Sequence, residues 1–446
     1  MIKASALALL LVLGFSSLTT QAQVKDFSLK EAQDYALKNN YQAKNAIIDV
    51  AIAARKVKEN LATGLPQVSG NISYTNFINL ATQLIPGEFF GGEPGTYMEV
   101  QFGTKHNASM DGQISQLIFN GAYFVGLKAA KTFEQMSQLQ LEQVEQDVKQ
   151  AITNAYYLVL VSMENKNLML ETVSTMEKLL ADTKAMYKQG FMQDTDVDKL
   201  VLLHSDLKTN LLNADNQISN ASYLLKFNLG MKVTDEIHLT DNLQTLLMAI
   251  NPESVLGTDF DKDAHVSYRL MESQEIMSEL QWKLARTEFM PTVSGFLSQT
   301  QNAQRNEFNM FDLDEKWFPT TLAGLQISIP IFSSGARYHK VKQARMEMEK
   351  THNTKTQVSE SLIMGAVTAK NNFSIAVETY QNKRENFSLS QKIYNKEQIK
   401  YKNGVSSSTD LNQSYNQLLE SQGTYLGAMM DMMNKKLELD KAYNLL

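Results

Sequence analysis

Three aspartates at alternate positions, Asp194, Asp196 and Asp198, have the spacing with which carboxylates open a calcium loop. The rest of such a loop is missing, because Lys199 stands where the turn needs glycine and Ser205 where the bidentate glutamate belongs. These carboxylates suit helix capping and the positive end of a helix dipole instead, with Asp196 also free to face neighbours. His106, His204, His238, His265, His339 and His352 are scattered without metal-ligand spacing. Met429, Met430, Met432 and Met433 read as packing residues of a helix rather than as a soft-metal site. The run from Asp259 to Asp263 reads as a solvated linker. The sequence contains no Ser/His/Asp arrangement, no P-loop and no glycine-rich dinucleotide turn. No catalytic residue, metal or cofactor is expected, and the chain is not read as an enzyme.

Since chemistry does not organise the chain, its elements must. Of 446 residues, 43% are apolar and 20% charged, enough for a large core or for long amphipathic elements. Only seven prolines and 21 glycines interrupt it, which favours long helices. A net charge of −6 without any Lys/Arg-dense stretch makes nucleic acid an unsuitable partner.

The N-terminus reads as an export signal. Lys3 supplies the positive start, Leu7 to Phe15 the apolar run, and Thr20-Gln21-Ala22 a small-residue cleavage site. The absence of cysteine removes both disulfides and a lipid-attachment thiol. No later run approaches the roughly 18 apolar residues of a membrane helix. Any membrane contact therefore has to come from closed β-structure, whose mark is apolar/polar alternation.

An internal repeat decides the organisation. Pro66-Gln-Val-Ser-Gly-Asn-Ile-Ser-Tyr-Thr75 returns as Pro291-Thr-Val-Ser-Gly-Phe-Leu-Ser-Gln-Thr300, with six of ten residues identical at an offset of 225. Gln113-Ile-Ser-Gln-Leu-Ile-Phe119 returns as Gln326-Ile-Ser-Ile-Pro-Ile-Phe332 at an offset of 213. Tyr187-Lys-Gln-Gly-Phe-Met-Gln-Asp-Thr-Asp196 returns as Tyr401-Lys-Asn-Gly-Val-Ser-Ser-Ser-Thr-Asp410 at an offset of 214. The expected organisation is a signal peptide over 1–22, repeat one over 23–230, an inter-repeat segment over 231–263 and repeat two over 264–446.

Gly121 to Lys188 and Gly335 to Lys402 each hold 68 proline-free residues with apolar positions at three- and four-residue steps. Each predicts a helix roughly 100 Å long, more than three times a bilayer core. Gly190 and Gly404 end these helices, and Thr195-Asp196 and Thr409-Asp410 offer oxygens to cap returning helices over about Thr195–Leu229 and Thr409–Leu445. Shorter helices lead in at Leu29–Leu61, opened by a capping box of Ser28 and Glu31, and at Val266–Glu288.

Between the lead-in and long helices the period changes to two. Val68, Gly70, Ile72 and Tyr74 alternate with Ser69, Asn71, Ser73 and Thr75, and Ala108, Met110, Gly112 and Ile114 alternate with Ser109, Asp111, Gln113 and Ser115. Repeat two supplies Val293, Gly295 and Leu297, then Ala323, Leu325, Ile327 and Ile329. The first hairpin exceeds the second by 12 residues, which places a long loop between Phe77 and His106. Four strands cannot close a barrel, since the smallest use about eight, and open edges in lipid leave unpaired backbone groups. The fold expected is mainly α with a small β part: long helical hairpins forming an α-barrel, and four strands per chain contributing to a trimeric 12-stranded transmembrane β-barrel around a water-filled lumen.

The duplicated Pro-Gln-Val-Ser-Gly and Pro-Thr-Val-Ser-Gly strand openings and the two Tyr-x-x-Gly-x-x-x-x-Thr-Asp tips resemble the outer membrane efflux proteins of the TolC type. The resemblance covers essentially the whole chain after the signal. It implies a homotrimer in outer membrane lipid of a diderm bacterium, extending into the periplasm. A periplasmic adaptor (membrane fusion) protein and an inner-membrane transporter are the implied partners. It further implies that Asp196 and Tyr401 belong to a network holding the periplasmic end shut and that Asp410 rings the pore, with Tyr187, Gly190, Thr195, Gly404 and Thr409 shaping the tips. The chain departs from the family where Val405 and Ser406 replace an arginine-bearing stretch and where Gln413 replaces a further ring aspartate. A soluble periplasmic coiled-coil scaffold is the alternative reading of the same helical hairpins.

Overall fold

A computed structural model of the chain describes residues 25–253, 257, 259–312 and 314–446. The export signal expected over residues 1–22 lies outside the described residues. Among those residues the chain is mainly α-helical with a small β part. The helices are α1 (Leu29–Asn39), α2 (Tyr41–Ala62), α3 (Gly121–Lys188), α4 (Asp194–Leu229), α5 (Leu243–Ala249), α6 (Val266–Thr287), α7 (Ala336–Lys402) and α8 (Ser408–Ala442). The strands are β1 (Lys25–Phe27), β2 (Gln67–Asn76), β3 (Thr82–Pro86), β4 (Tyr97–Gln101), β5 (His106–Asn120), β6 (Ile237–Leu239), β7 (Thr292–Arg305) and β8 (Phe318–Ser328).

The two long helices match the expected lengths, at 68 residues for α3 and 67 for α7. The lead-in helix expected over Leu29–Leu61 is two helices, broken at Asn40, whose ψ of 138° is not helical. The Asn40 side chain explains the break: its Oδ1 accepts from the Gln42 N–H at 2.8 Å, and its Nδ2 donates to the Asn228 carbonyl at 2.6 Å. The second lead-in helix stops at Thr287 rather than Glu288, and the last helix at Ala442 rather than Leu445. The Ser28 and Glu31 capping box forms as expected.

Two compact units divide the chain, and each draws on both sequence repeats. One comprises residues 25–45, 144–261 and 363–446. Its helices pack along heptad seams: on α8 the buried residues Leu411, Tyr415, Leu418, Gln422, Tyr425, Met429 and Met432 follow alternating steps of four and three. Leu200, Leu207, Ala214 and Ala221 repeat every seventh residue on α4. Such spacing keeps one stripe of each helix against its neighbour. Within this unit β1 and β6 form a parallel pair that pairs Phe27 with Leu239. Tyr156, fully buried, donates to the Phe27 carbonyl at 3.0 Å and to Asp241 Oδ2 at 3.1 Å, while the same Asp241 oxygen receives the Leu29 N–H at 2.7 Å.

The other unit comprises residues 46–143 and 262–362 and contains a four-stranded antiparallel sheet in the order β2-β5-β7-β8. The alternation expected from sequence is realised in its register. Val68 faces Ile114, Ile114 faces Leu297, and Leu297 faces Ala323 on one side. Asn71 faces Asp111, Asp111 faces Thr300, and Thr300 faces Thr320 on the other. Both β2 and β8 are edges of this sheet. The loop expected between Phe77 and His106 contains structure that the sequence reading missed, a separate antiparallel hairpin of β3 and β4.

Candidate functional site

The two helical hairpins of the first unit close by the same backbone device. After α3, Gly190 takes φ +80°, its N–H bonds to the Tyr187 carbonyl at 2.9 Å, and Phe191 N–H bonds to the Met186 carbonyl at 3.0 Å. After α7, Gly404 takes φ +70°, its N–H bonds to Tyr401 at 3.0 Å, and Val405 N–H bonds to Lys400 at 2.9 Å. This pairing satisfies the carbonyls left over at a helix C-terminus and requires a left-handed residue, which glycine supplies without strain.

Returning helices start earlier than the sequence reading put them. The caps are Gln193 and Ser407, not Thr195 and Thr409, and the two aspartates occupy the third helical position. Asp410 Oδ2 accepts the Ser407 N–H at 3.2 Å and the Ser407 hydroxyl at 2.7 Å, while Ser407 Oγ accepts the Asp410 N–H at 3.2 Å. Asp196 Oδ2 accepts the Gln193 N–H at 3.4 Å. A carboxylate here meets orphan N–H groups and the positive helix end together. The bonds from Ser407 hold the Asp410 carboxyl below the usual aspartate range. Glu397 is held below the glutamate range by the Ser406 hydroxyl and then by Lys400 at 3.1 Å.

Across the hairpins the contacts are ones that the sequence did not single out. Lys402 pairs with Asp182 at 2.8 Å. Lys199 donates to Ser408 Oγ at 3.1 Å and to Thr409 Oγ1 at 3.4 Å. Tyr401 and Asp196, which the family resemblance assigns to one closing network, share no hydrogen bond within the chain. Tyr401 is 1% exposed, packed with Leu411 and Tyr415, and among the described residues its hydroxyl has no hydrogen-bond partner. Thr183 lies beside it, and the threonine donates its own O–H to the Leu179 carbonyl at 2.9 Å. Burial pushes the Tyr401 phenol above its ordinary pKa, and the Asp196 charge adds to the effect. Tyr187 remains exposed at the first tip.

A signal for the missed contacts was present in the differences between repeats. At the 214-residue offset Asp182 corresponds to Lys396 and Lys199 to Gln413, so charges at these positions are not conserved between the two halves. Of these, Lys199 borders an open groove of about 520 Å³ between α4 and α8, lined also by Asp206, Asn210, Asn412 and Asn416 among others.

With this geometry established, residues 277–445 match the family described as outer membrane efflux protein. The chain resembles the outer membrane efflux proteins. In fold it is similar to CusC, at 14% identity with a TM-score of 0.73, covering 93% of this chain and 91% of that one. It is likewise similar to the CmeC outer membrane channel of Campylobacter jejuni, at 16% identity and a TM-score of 0.68, covering 93% and 85%. The open-state MtrE outer membrane channel of Neisseria gonorrhoeae matches at 16% identity and a TM-score of 0.70, covering 93% and 88%. No curated protein matches the chain by sequence. Its structural neighbours are thus channels, and their mixture of long helices and a small sheet is the fold class read from the sequence.

Proposed function

We propose that this chain is one third of a trimeric outer-membrane channel-tunnel, a passive exit duct for an inner-membrane efflux pump or a type I secretion system. The observation that carries the reading is the unfinished sheet. Its order β2-β5-β7-β8 runs antiparallel at every step, so β8 of one copy can meet β2 of the next antiparallel as well. Three copies then give twelve strands and no edge. One face of the sheet leaves Val68 77% and Ile72 76% exposed, with Leu325 and Ile327 also uncovered. In water such a face is costly at about 25 cal/mol per Å² of apolar surface, whereas in lipid it is at home. Among the described residues no helix is long and apolar enough to cross a membrane.

The hairpin tips would form the closable, periplasmic end, where an adaptor protein docks. There Asp196 and Asp410 hold the returning helices in register, Tyr401 packs the turn, and Lys402–Asp182 and Lys199–Ser408 tie the hairpins of one protomer together. The decisive experiment is detergent solubilisation followed by light scattering and planar-bilayer recording. A particle of three chains that conducts ions is expected. A monodisperse monomer, or a protein released without detergent, would instead favour the soluble periplasmic scaffold.

A further inference from the structure

We propose that Asp111 sets the charge preference of the duct's β-barrel, making its membrane-spanning part favour cations over anions; the inference rests on the trimeric barrel described above. In β2, β5, β7 and β8 together, Asp111 is the only carboxylate. These strands contain no lysine, and their one arginine, Arg305, ends β7, where it is buried and pairs with Glu315 at 3.4 Å. His106, at the start of β5, bonds to the Tyr74 hydroxyl at 2.8 Å. Asp111 therefore stands as the one mid-strand charge in the sheet.

Its surroundings fix it without neutralising it. Asp111 lies on the face of Asn71 and Thr300, opposite the apolar one, and so on the side that faces the lumen once the barrel closes. Thr300 Oγ1 donates to Asp111 Oδ1 at 2.7 Å, Ser109 Oγ donates to Oδ2 at 3.0 Å, and Ser109 Oγ lies 2.8 Å from Ser73 Oγ. This ladder of hydroxyls crosses three strands and holds the carboxylate in place, yet it supplies no counter-charge. Among the described residues no lysine or arginine pairs with Asp111. The threefold axis repeats the charge three times around one cross-section, in a channel whose wall focuses the field. The loops beyond these strand ends, 77–105 and 306–317, carry seven carboxylates against two lysines and so reinforce the same sign.

Screening supplies the signature of the effect. The Debye length is about 30 Å at 0.01 M salt and about 3 Å at 1 M, so a ring of lumen charges governs permeation in dilute salt and fades in concentrated salt. The test measures reversal potentials under KCl gradients in planar bilayers, with Asp410→Asn as the background so that the tip ring does not contribute. Asp111→Asn should lower the K⁺/Cl⁻ permeability ratio by about twofold or more in dilute salt and leave it nearly unchanged at 1 M, while Asp111→Lys should invert it. Asn keeps an oxygen for the Thr300 hydroxyl; should it fail to assemble, Asp111→Ser serves for the same measurement. A conducting trimer with the same ratio in every variant overturns the assignment to Asp111. Failure of the unmodified protein to form a conducting trimer overturns the barrel reading itself, and this inference with it.

Discussion

Lys402, the last residue of α7, reaches Asp182 of α3 at 2.8 Å and so joins the two hairpins of one protomer. The two side chains keep 42% and 49% of their surface in water. An exposed pair of this kind contributes only about 0 to 1 kcal/mol, too little to hold a fold together but enough to bias a tip between closed and open. Asp182→Ala and Lys402→Ala should each leave the melting temperature nearly unchanged and raise single-channel conductance. Exchanging the charges, with Asp182→Lys and Lys402→Asp in one chain, should return conductance toward the starting level. Equal conductance in all of these proteins would show that the pair only decorates the surface.

The second tip should be sensitive to acid. Asp410 and Glu397 are both held below their usual values of 3.8 and 4.5, by hydroxyls of Ser407 and Ser406 above all. A carboxyl whose folded pKa is depressed stabilises the fold fully above its unfolded pKa, and that contribution is lost as the pH falls through the folded value. The tip is thus firm near neutrality and loosens below about pH 4. Hydrogen exchange across residues 404–412, corrected for its intrinsic pH dependence, should gain protection between pH 3.5 and 6. Asp410→Asn with Glu397→Gln should flatten that profile. Ser407→Ala, which removes the cap itself, should cost about 0.5 to 2 kcal/mol.

What the sequence made legible follows physical range. The ends of α3 and α7 could be read because each is set by a local signal, a glycine that alone accepts positive φ at Gly190 and Gly404. The strands could be read because Val68 to Thr75 and Ala108 to Ser115 alternate over enough residues for a period of two to stand out. The break at Asn40 could not, since the partner that holds it is Asn228, far along the chain. β1 and β6 are three residues each and pair in parallel across more than two hundred positions, so neither carries a periodic signal. At the tips, composition pointed to the right segment but not to the right atoms. Thr195 and Ser407 are both plausible caps by type, and only the backbone decides between a residue before the helix and one inside its first turn.

The long loop between β2 and β5 offers a topological test. The β3–β4 hairpin pairs Thr82 with Gln101 and Pro86 with Tyr97, and its crest around Gly92 and Glu93 is exposed. An epitope inserted after Gly92 interrupts neither strand and should leave assembly intact. If β2 and β5 cross the outer membrane, antibody should label this epitope on intact cells. Labelling that appears only after the envelope is ruptured would place the hairpin on the wrong side and reverse the orientation of the barrel.

Two buried tyrosines should respond oppositely to loss of the same atom. The Tyr156 hydroxyl lies between the Phe27 carbonyl and an Asp241 carboxylate that also holds the first N–H of α1. Burial, first of all, raises its pKa far above the ordinary tyrosine range, so it remains a neutral donor throughout the physiological range. Tyr156→Phe leaves buried acceptors short of a donor and should cost about 1 to 3 kcal/mol. Tyr401 is as deeply buried, but among the described residues its hydroxyl has no hydrogen-bond partner. Removing an unsatisfied polar atom relieves a desolvation cost, so Tyr401→Phe should be neutral or stabilising by up to about 1 kcal/mol. Thermal unfolding of the detergent-solubilised protein, followed by circular dichroism, compares the two directly. If Tyr401→Phe destabilises as much as Tyr156→Phe while Thr183→Val does not, the Tyr401 hydroxyl has a partner that one chain does not supply. The nearest candidate would then be the tip of a neighbouring copy, and the closed end would be held between protomers rather than within them.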